Sequence, residues 1–191
     1  MIELRPFEET DIPRLIAWIP DARFLLQWAG PQYKFPLDAV QLHATLETTK
    51  GDHPSHFMFT ALQKAEGEVV GHIELMKVDY DTATAVLGRV LIGRPEWRAR
   101  GFGRRMVEEA MRYAFDTLNL GTVTLGVFDF NIQAIACYHA LGFAEYERNL
   151  TARQFGDEYW NLIMMRLDRD TWRAGSQLRT SQCTVPATAG Q

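Results

Sequence analysis

The chain has 191 residues, of which 47% are hydrophobic and 23% charged, with a formal net charge of -4. That size and balance fit one globular domain with a core of its own. They argue against a general nucleic-acid binder and permit a cationic small substrate or a basic peptide. Two cysteines, Cys137 and Cys183, make no disulfide framework. No apolar run approaches the roughly 20 residues of a membrane span, and the charged opening MIELRPFEET has no secretory apolar segment. The expected location is therefore the cytoplasm, with no membrane partner.

Residues 2–7 alternate apolar and polar side chains, as a strand does. Thr10 or Asp11 offers an N-cap, and Pro13 a first-turn residue, for a short helix. Residues 20–36 are rich in proline, glycine and aromatics and read as an irregular loop with short helical pieces. A helix over 37–49 places Val40, Leu42 and Leu46 on one face. Strands are expected over 56–63, 69–80 and 82–93, with Ile73 and Leu75 facing inward. A helix follows over 103–118, carrying Val107, Met111, Ala114 and Leu118 at helical spacing. Next come a strand over 122–130, a helix over 131–141 started by Asn131, and an antiparallel pair ending at 168. From about Arg173 periodicity stops.

Residues 96–105, EWRARGFGRR, join a strand to a helix. Between Gly88 and Arg112 seven arginines stand against three glutamates, a local charge of +4 within an acidic chain. The first amides of a helix have no internal partners and attract anions. Gly101 and Gly103 free the backbone and keep a Cβ out of an anion's way. A capped helix on a basic surface is the plain alternative. The stretch is no P-loop, since no Gly-Lys-Ser/Thr follows, and it lacks the third glycine of a dinucleotide fingerprint.

The segment VLIGRPEWRARGFGRRMVEEAMRYAF resembles the acyl-coenzyme A motif of the GCN5-related N-acetyltransferases (GNAT), a strand followed by R/Q-x-x-G-x-G/A and a helix. VFDFNIQAIACYHALGF resembles the family's next segment, with Asn131, Tyr138, Gly142 and Phe143 in the expected order. The likeness runs over about residues 2–168. It implies an α/β GNAT fold over residues 1–170, with residues 171–191 a mobile tail. The sheet would be mixed, mostly antiparallel, of six to seven strands flanked by helices, with a splayed parallel pair, 86–92 and 122–130, binding acyl-CoA.

The resemblance also implies roles. Backbone groups of Val90, Leu91 and Ile92 would pair with the pantetheine arm, one of them stabilising the oxyanion. The segment Arg98, Ala99, Arg100, Gly101, Phe102, Gly103 and Arg104 would hold the pyrophosphate, and Asn131 the pantetheine. Tyr138 would protonate the departing thiolate. Glu74 leads as the base for the amine, with Asp129, Glu158 and His72 as alternatives. His139 is expected to point elsewhere. Trp18, Phe24, Trp28, Tyr33 and Phe35 would wall the acceptor pocket or be core. Asp79, Asp81, Asp157 and Glu158 would attract a cationic amine or be turn residues on a solvated rim.

The expected activity is acetyl transfer from acetyl-CoA to a primary amine by direct attack in a ternary complex, by a monomer or homodimer without metal. The acceptor would be a small amine or a peptide. A protein N-terminus or lysine as acceptor, and a non-catalytic acyl-CoA sensor, remain open readings.

Overall fold

The computed structural model describes residues 1–181, with side chains through residue 175. Among these residues, seven strands form one sheet: β1 (Ile2–Pro6), β2 (Phe57–Gln63), β3 (Glu68–Asp79), β4 (Thr84–Ile92), β5 (Thr122–Phe128), β6 (Ala144–Phe155) and β7 (Glu158–Asp168). The spatial order is β1-β2-β3-β4-β5-β7-β6. Every neighbouring pair is antiparallel except β4 and β5. The helices are α1 (Ile12–Ala17), α2 (Ala22–Ala29), α3 (Ala39–Glu47), α4 (Phe102–Arg112), α5 (Ile132–Ala140) and α6 (Arg169–Ser181).

Two cores form because the sheet buries side chains on both faces. On β2, Phe59 packs with α4 residues Met106, Val107 and Ala110, whereas Met58 joins Leu15, Leu25 and Leu42 of α1 to α3. Strand β3 is buried on both faces: Ile73 and Leu75 are buried, and so are His72 and Glu74, which alternate with them. A regular strand would send Leu87 and Leu91 to one face, since its side chains alternate with period two. They join different cores. The cause is a β-bulge. His72 pairs with Leu91 but Glu74 with Gly88, so β4 carries one extra residue there. Arg89 sits in the bulge at φ 51°.

Several expectations change. Val40 is 76% exposed, while Leu42 and Leu46 are buried. The interval 20–36 contains a full helix, α2, capped by the Asp21 carboxylate accepting from the Phe24 N–H at 2.7 Å. Asp11 precedes α1 but makes no side-chain cap; its buried carboxylate accepts from Arg5, Arg14, Thr60 and the Glu8 N–H instead. Burial alone would raise the Asp11 carboxyl, yet the Arg5 hydrogen bonds and the other donors bring it down to about 2. The aperiodic stretch after Arg173 begins inside α6, which Trp172 anchors: its indole is 4% exposed and lies 6.3 Å from the Phe115 ring. Helical hydrogen bonding there follows from docking rather than from pattern. The rest of the expected tail, 182–191, lies outside the described residues.

Candidate active site

Strands β4 and β5 pair only from Thr84 to Val86 against Thr122 to Thr124. Beyond that they diverge, and a cleft of about 820 Å³ opens between Leu87–Ile92 and Gly126–Phe128. Edge groups of β4 on that side have no strand partner, so an extended ligand can pair there as another strand would. Val90, Leu91 and Ile92 line the cleft.

At one end lies the glycine loop. A 3₁₀ turn over Pro95–Trp97 delivers the chain to Arg98. Ala99 has φ 57° and Gly101 φ 78°, a reversal that places Gly101 at the N-cap of α4. The first helical bond runs from the Arg105 N–H to the Gly101 carbonyl at 3.2 Å, so the amides of Phe102, Gly103 and Arg104 have no helical acceptor. A Cβ at Gly103 would meet nothing within 4 Å. Gly101 supplies the left-handed backbone, therefore, and Gly103 the open space. Arg98, Ala99, Gly101, Gly103 and Arg104 line the cleft. Arg100 and Phe102 do not: the Phe102 ring is buried in the core, with the Arg100 guanidinium over it at 5.6 Å. Free amides, a positive helix end and two arginines fit a pyrophosphate. Asn131 caps α5, its Oδ1 accepting from the Ala134 N–H at 3.3 Å, and it lines the cleft with its amide NH₂ still to give.

Tyr138 lines the middle of the cleft and is 9% exposed. Among the described residues its hydroxyl has no hydrogen-bond partner. Burial, and then the neighbouring Cys137, push its phenol well above the ordinary value of 10.0, so it stays protonated through the neutral range. Burial also raises the Cys137 thiol, which disfavours a thiolate nucleophile. His139 turns away and bonds the Phe143 carbonyl through Nδ1 at 3.2 Å.

The candidate bases lie elsewhere. Glu74 is fully buried and does not line the cleft. Its carboxylate meets His72 Nε2 and His56 Nε2 at 2.7 Å each, and Arg89 at 2.8 Å. Burial alone would raise it, but the Arg89 charge and the two histidine bonds bring it down to about 2. A carboxylate that weakly basic, with both oxygens engaged, is a poor proton acceptor for an amine; its evident work is to balance Arg89. Asp129 accepts from Asn161 Nδ2 at 2.8 Å, and Glu158 is held by Arg23 at 2.7 Å and by the Trp160 indole at 3.0 Å. Neither lines the cleft. Asp79 caps its own turn through the Asp81 and Thr82 amides, and Asp81 and Asp157 are exposed turn residues.

The cleft is also lined by Phe24, Gln27, Trp28, Phe128 and Arg89. Phe35 is 48% exposed and Trp18 lies outside the lining. Tyr33 is buried behind Arg89, its ring 4.3 Å from the guanidinium and its hydroxyl accepting from it at 2.7 Å. Burial first, and then Glu74, raise the Tyr33 phenol to about 12. Sequence reasoning missed Arg89 and Gln32, which accepts from the same guanidinium. The available signal was an arginine inside an otherwise apolar strand. No group of three or more potential metal ligands occurs among the described residues, and no helix among them is long and apolar enough to cross a membrane.

The same architecture occurs in known proteins. The profile of the acetyltransferase (GNAT) domain matches residues 2–144. The chain is 27% identical over 165 residues to a spermidine N(1)-acetyltransferase of Escherichia coli K12, covering 86% of this chain and 84% of that one. A spermidine N(1)-acetyltransferase of Vibrio cholerae is 31% identical over 84 residues, 44% of this chain and about half (47%) of its own length. The crystal structure of a Vibrio cholerae spermidine N-acetyltransferase in complex with CoA and spermine superposes with a TM-score of 0.77 at 22% identity, covering 90% of this chain and 98% of that one. With the divergent strand pair, the glycine loop and a family match over well more than half its length, the chain belongs to the GNAT acetyltransferases.

Proposed function

We propose that the chain transfers the acetyl group of acetyl-CoA to a small primary amine that enters the cleft beside Tyr138. The observation that carries this reading is the β4/β5 cleft itself, with free strand edges, a helix N-terminus and an unpartnered tyrosine hydroxyl along one wall. The amides of residues 102–104 with Arg98 and Arg104 take the pyrophosphate, and the β4 edge and Asn131 take the pantetheine. A β4 amide near Leu91 faces the developing oxyanion. The Tyr138 hydroxyl hydrogen-bonds the departing sulfur. Outright ionisation would leave a buried phenolate, so the hydroxyl stabilises the thiolate as a donor and regains any lost proton from the medium.

A small acceptor is favoured over a folded protein. The Arg23–Glu158 bridge, at 2.7 Å, ties α2, whose Phe24 and Trp28 line the cleft, to the β6–β7 hairpin. Spermidine, the acceptor named for the relatives, is the more specific reading that kinship suggests. Among the described residues, no carboxylate lines the cleft to serve as base. Activity is therefore expected to rise with pH toward the acceptor's own amine pKa, about 10.4 for a lysine-like amine. The deciding experiment follows CoA release with acetyl-CoA across amines, peptides and polyamines, with Tyr138→Phe alongside. CoA binding without turnover of any amine makes the chain a sensor; turnover only of folded protein substrates removes the small-amine reading.

A further inference from the structure

The bridge between Arg23 and Glu158 is built like a cation site filled by one of the chain's own side chains. The Glu158 carboxylate accepts twice from Arg23 Nη1, at 2.7 and 2.8 Å, and Oε2 also accepts from the Trp160 indole N–H at 3.0 Å. The guanidinium carbon lies 5.1 Å from the centre of the Trp160 ring and 6.0 Å from that of Phe155. A carboxylate beside two aromatic rings attracts an ammonium as well as a guanidinium. The indole bond, and then Arg23, hold the Glu158 carboxyl below its ordinary value, so it is charged through the neutral range.

The occupant is replaceable and the site is open to solvent. The side chains of Arg23 and Glu158 are 47% and 55% exposed. Arg23 bonds Glu158 through Nη1 alone, whereas Arg89 is buried and locked by Glu74, Tyr33 and Gln32. Exposed ion pairs are weak, and the indole bond keeps Glu158 in place when Arg23 leaves. Both partners also adjoin walls of the cleft. Arg23 precedes Phe24 and stands one helical turn from Gln27, and both of these line the cleft. Trp160, which holds Glu158, is edge-on to the lining residue Phe128 at 5.1 Å. The charged residues on the lining itself are Arg89, Arg98 and Arg104, so an acceptor with a second ammonium meets no counter-charge there.

We propose that Glu158, with the Trp160 and Phe155 rings, is a subsite for a distal ammonium of the acceptor, and that Arg23 is its internal occupant, displaced when such an acceptor binds. The inference rests on the small-amine reading above and narrows it to flexible amines that carry at least one further positive charge. The reacting nitrogen must be neutral to attack, while an aliphatic amine elsewhere on the molecule stays an ammonium below a pKa of about 10.4. The subsite therefore reads charge away from the reacting nitrogen. Arg23 tunes it, because every polycation competes with the guanidinium for the same carboxylate and rings.

The test measures kcat and KM of the full chain with acetyl-CoA for spermidine and for propylamine, which lacks a distal charge. Spermidine is also titrated calorimetrically into the CoA-bound chain. Glu158→Gln keeps an oxygen for the indole N–H and removes the charge. It is expected to raise the spermidine KM and Kd about tenfold, and so to lower the spermidine-to-propylamine ratio of kcat/KM. Arg23→Ala empties the subsite and is expected to lower the spermidine KM and Kd about threefold to tenfold. A bridge that only supports the fold predicts the opposite for Arg23→Ala, and general damage lowers both rates and leaves the ratio fixed. Thermal melts verify that both variants fold. Unchanged spermidine affinity in Glu158→Gln, or an affinity that does not rise in Arg23→Ala, overturns the inference. A chain that binds spermidine in this pattern but acetylates no amine in the wider screen keeps the subsite and loses the acetyltransferase reading. A chain that acetylates amines with no response to either variant keeps that reading and loses the subsite.

Discussion

The part of the cleft proposed to hold the cofactor comes mostly from one stretch, Val90–Arg104, joined by Asn131, and offers chiefly backbone groups. Behind cleft-lining Arg89, a buried network gathers Gln32, Tyr33, His56, His72 and Glu74 from separate strands and loops and works through side chains. The first tolerates exchange of side chains so long as the chain path and the open space survive. The second is a buried ion network, in which losing one partner strands another charge. An anion held by amides needs local geometry only, whereas an arginine inside a strand needs its counter-charge delivered by the fold.

The comparison breaks most readily at Tyr138, which belongs to neither half. Tyr138→Phe is expected to lower kcat by about 10²-fold or more with acetyl-CoA affinity unchanged, read by steady-state rates and calorimetric titration. An equal loss of affinity would make Tyr138 a binding residue. Next, Glu74→Ala leaves Arg89 buried without its carboxylate, and denaturant titration should register about 3–5 kcal/mol of lost stability. A smaller loss in Glu74→Ala than in Gly103→Val would reverse the contrast between the halves.

Gly103→Val fills the space meant for phosphate without meeting the protein, since no atom lies within 4 Å of the added Cβ. Acetyl-CoA affinity should fall about tenfold to a hundredfold with Tm nearly unchanged. Gly101→Val is a less clean probe, because the φ of 78° strains any branched residue whether or not a ligand binds. Acid sharpens the acceptor half in another way. Glu74 falls from an ordinary 4.5 to about 2 in the folded protein, and Asp11 from 3.8 to about 2. Each therefore adds stability that is fully present above its unfolded value and lost as pH falls toward 2. Thermal melts should drop over that window, and Glu74→Gln should flatten part of the drop. Smallest is Arg23→Ala: the bridge to Glu158 is solvent-exposed, so stability should change by no more than about 1 kcal/mol. A larger effect on acceptor KM would mark the bridge as a gate.

Local pattern made the cofactor half legible. The glycines, the arginines and Asn131 lie in two short segments, and the strands and helices around them show their periods openly. The two exceptions within that motif, Arg100 and Phe102, follow from helix geometry: the chain turn that frees the amides sends the Phe102 ring into the core. Trp172 was hidden because a helix ending in polar residues shows no stripe, and one buried indole against Phe115 is enough to dock it.

Sequence by itself determined the element order, the mixed sheet and the glycine loop that opens α4, because these depend on residues within a few positions of one another. Tertiary structure alone decided what Glu74 does. Its place opposite Gly88, beside a bulge that turns Arg89 inward, converts an apparent base into a counter-charge. It also decided that, among the described residues, no carboxylate lines the cleft. Both outcomes depend on which distant charges share a low-dielectric interior, and that pairing is set only when the strands are in register.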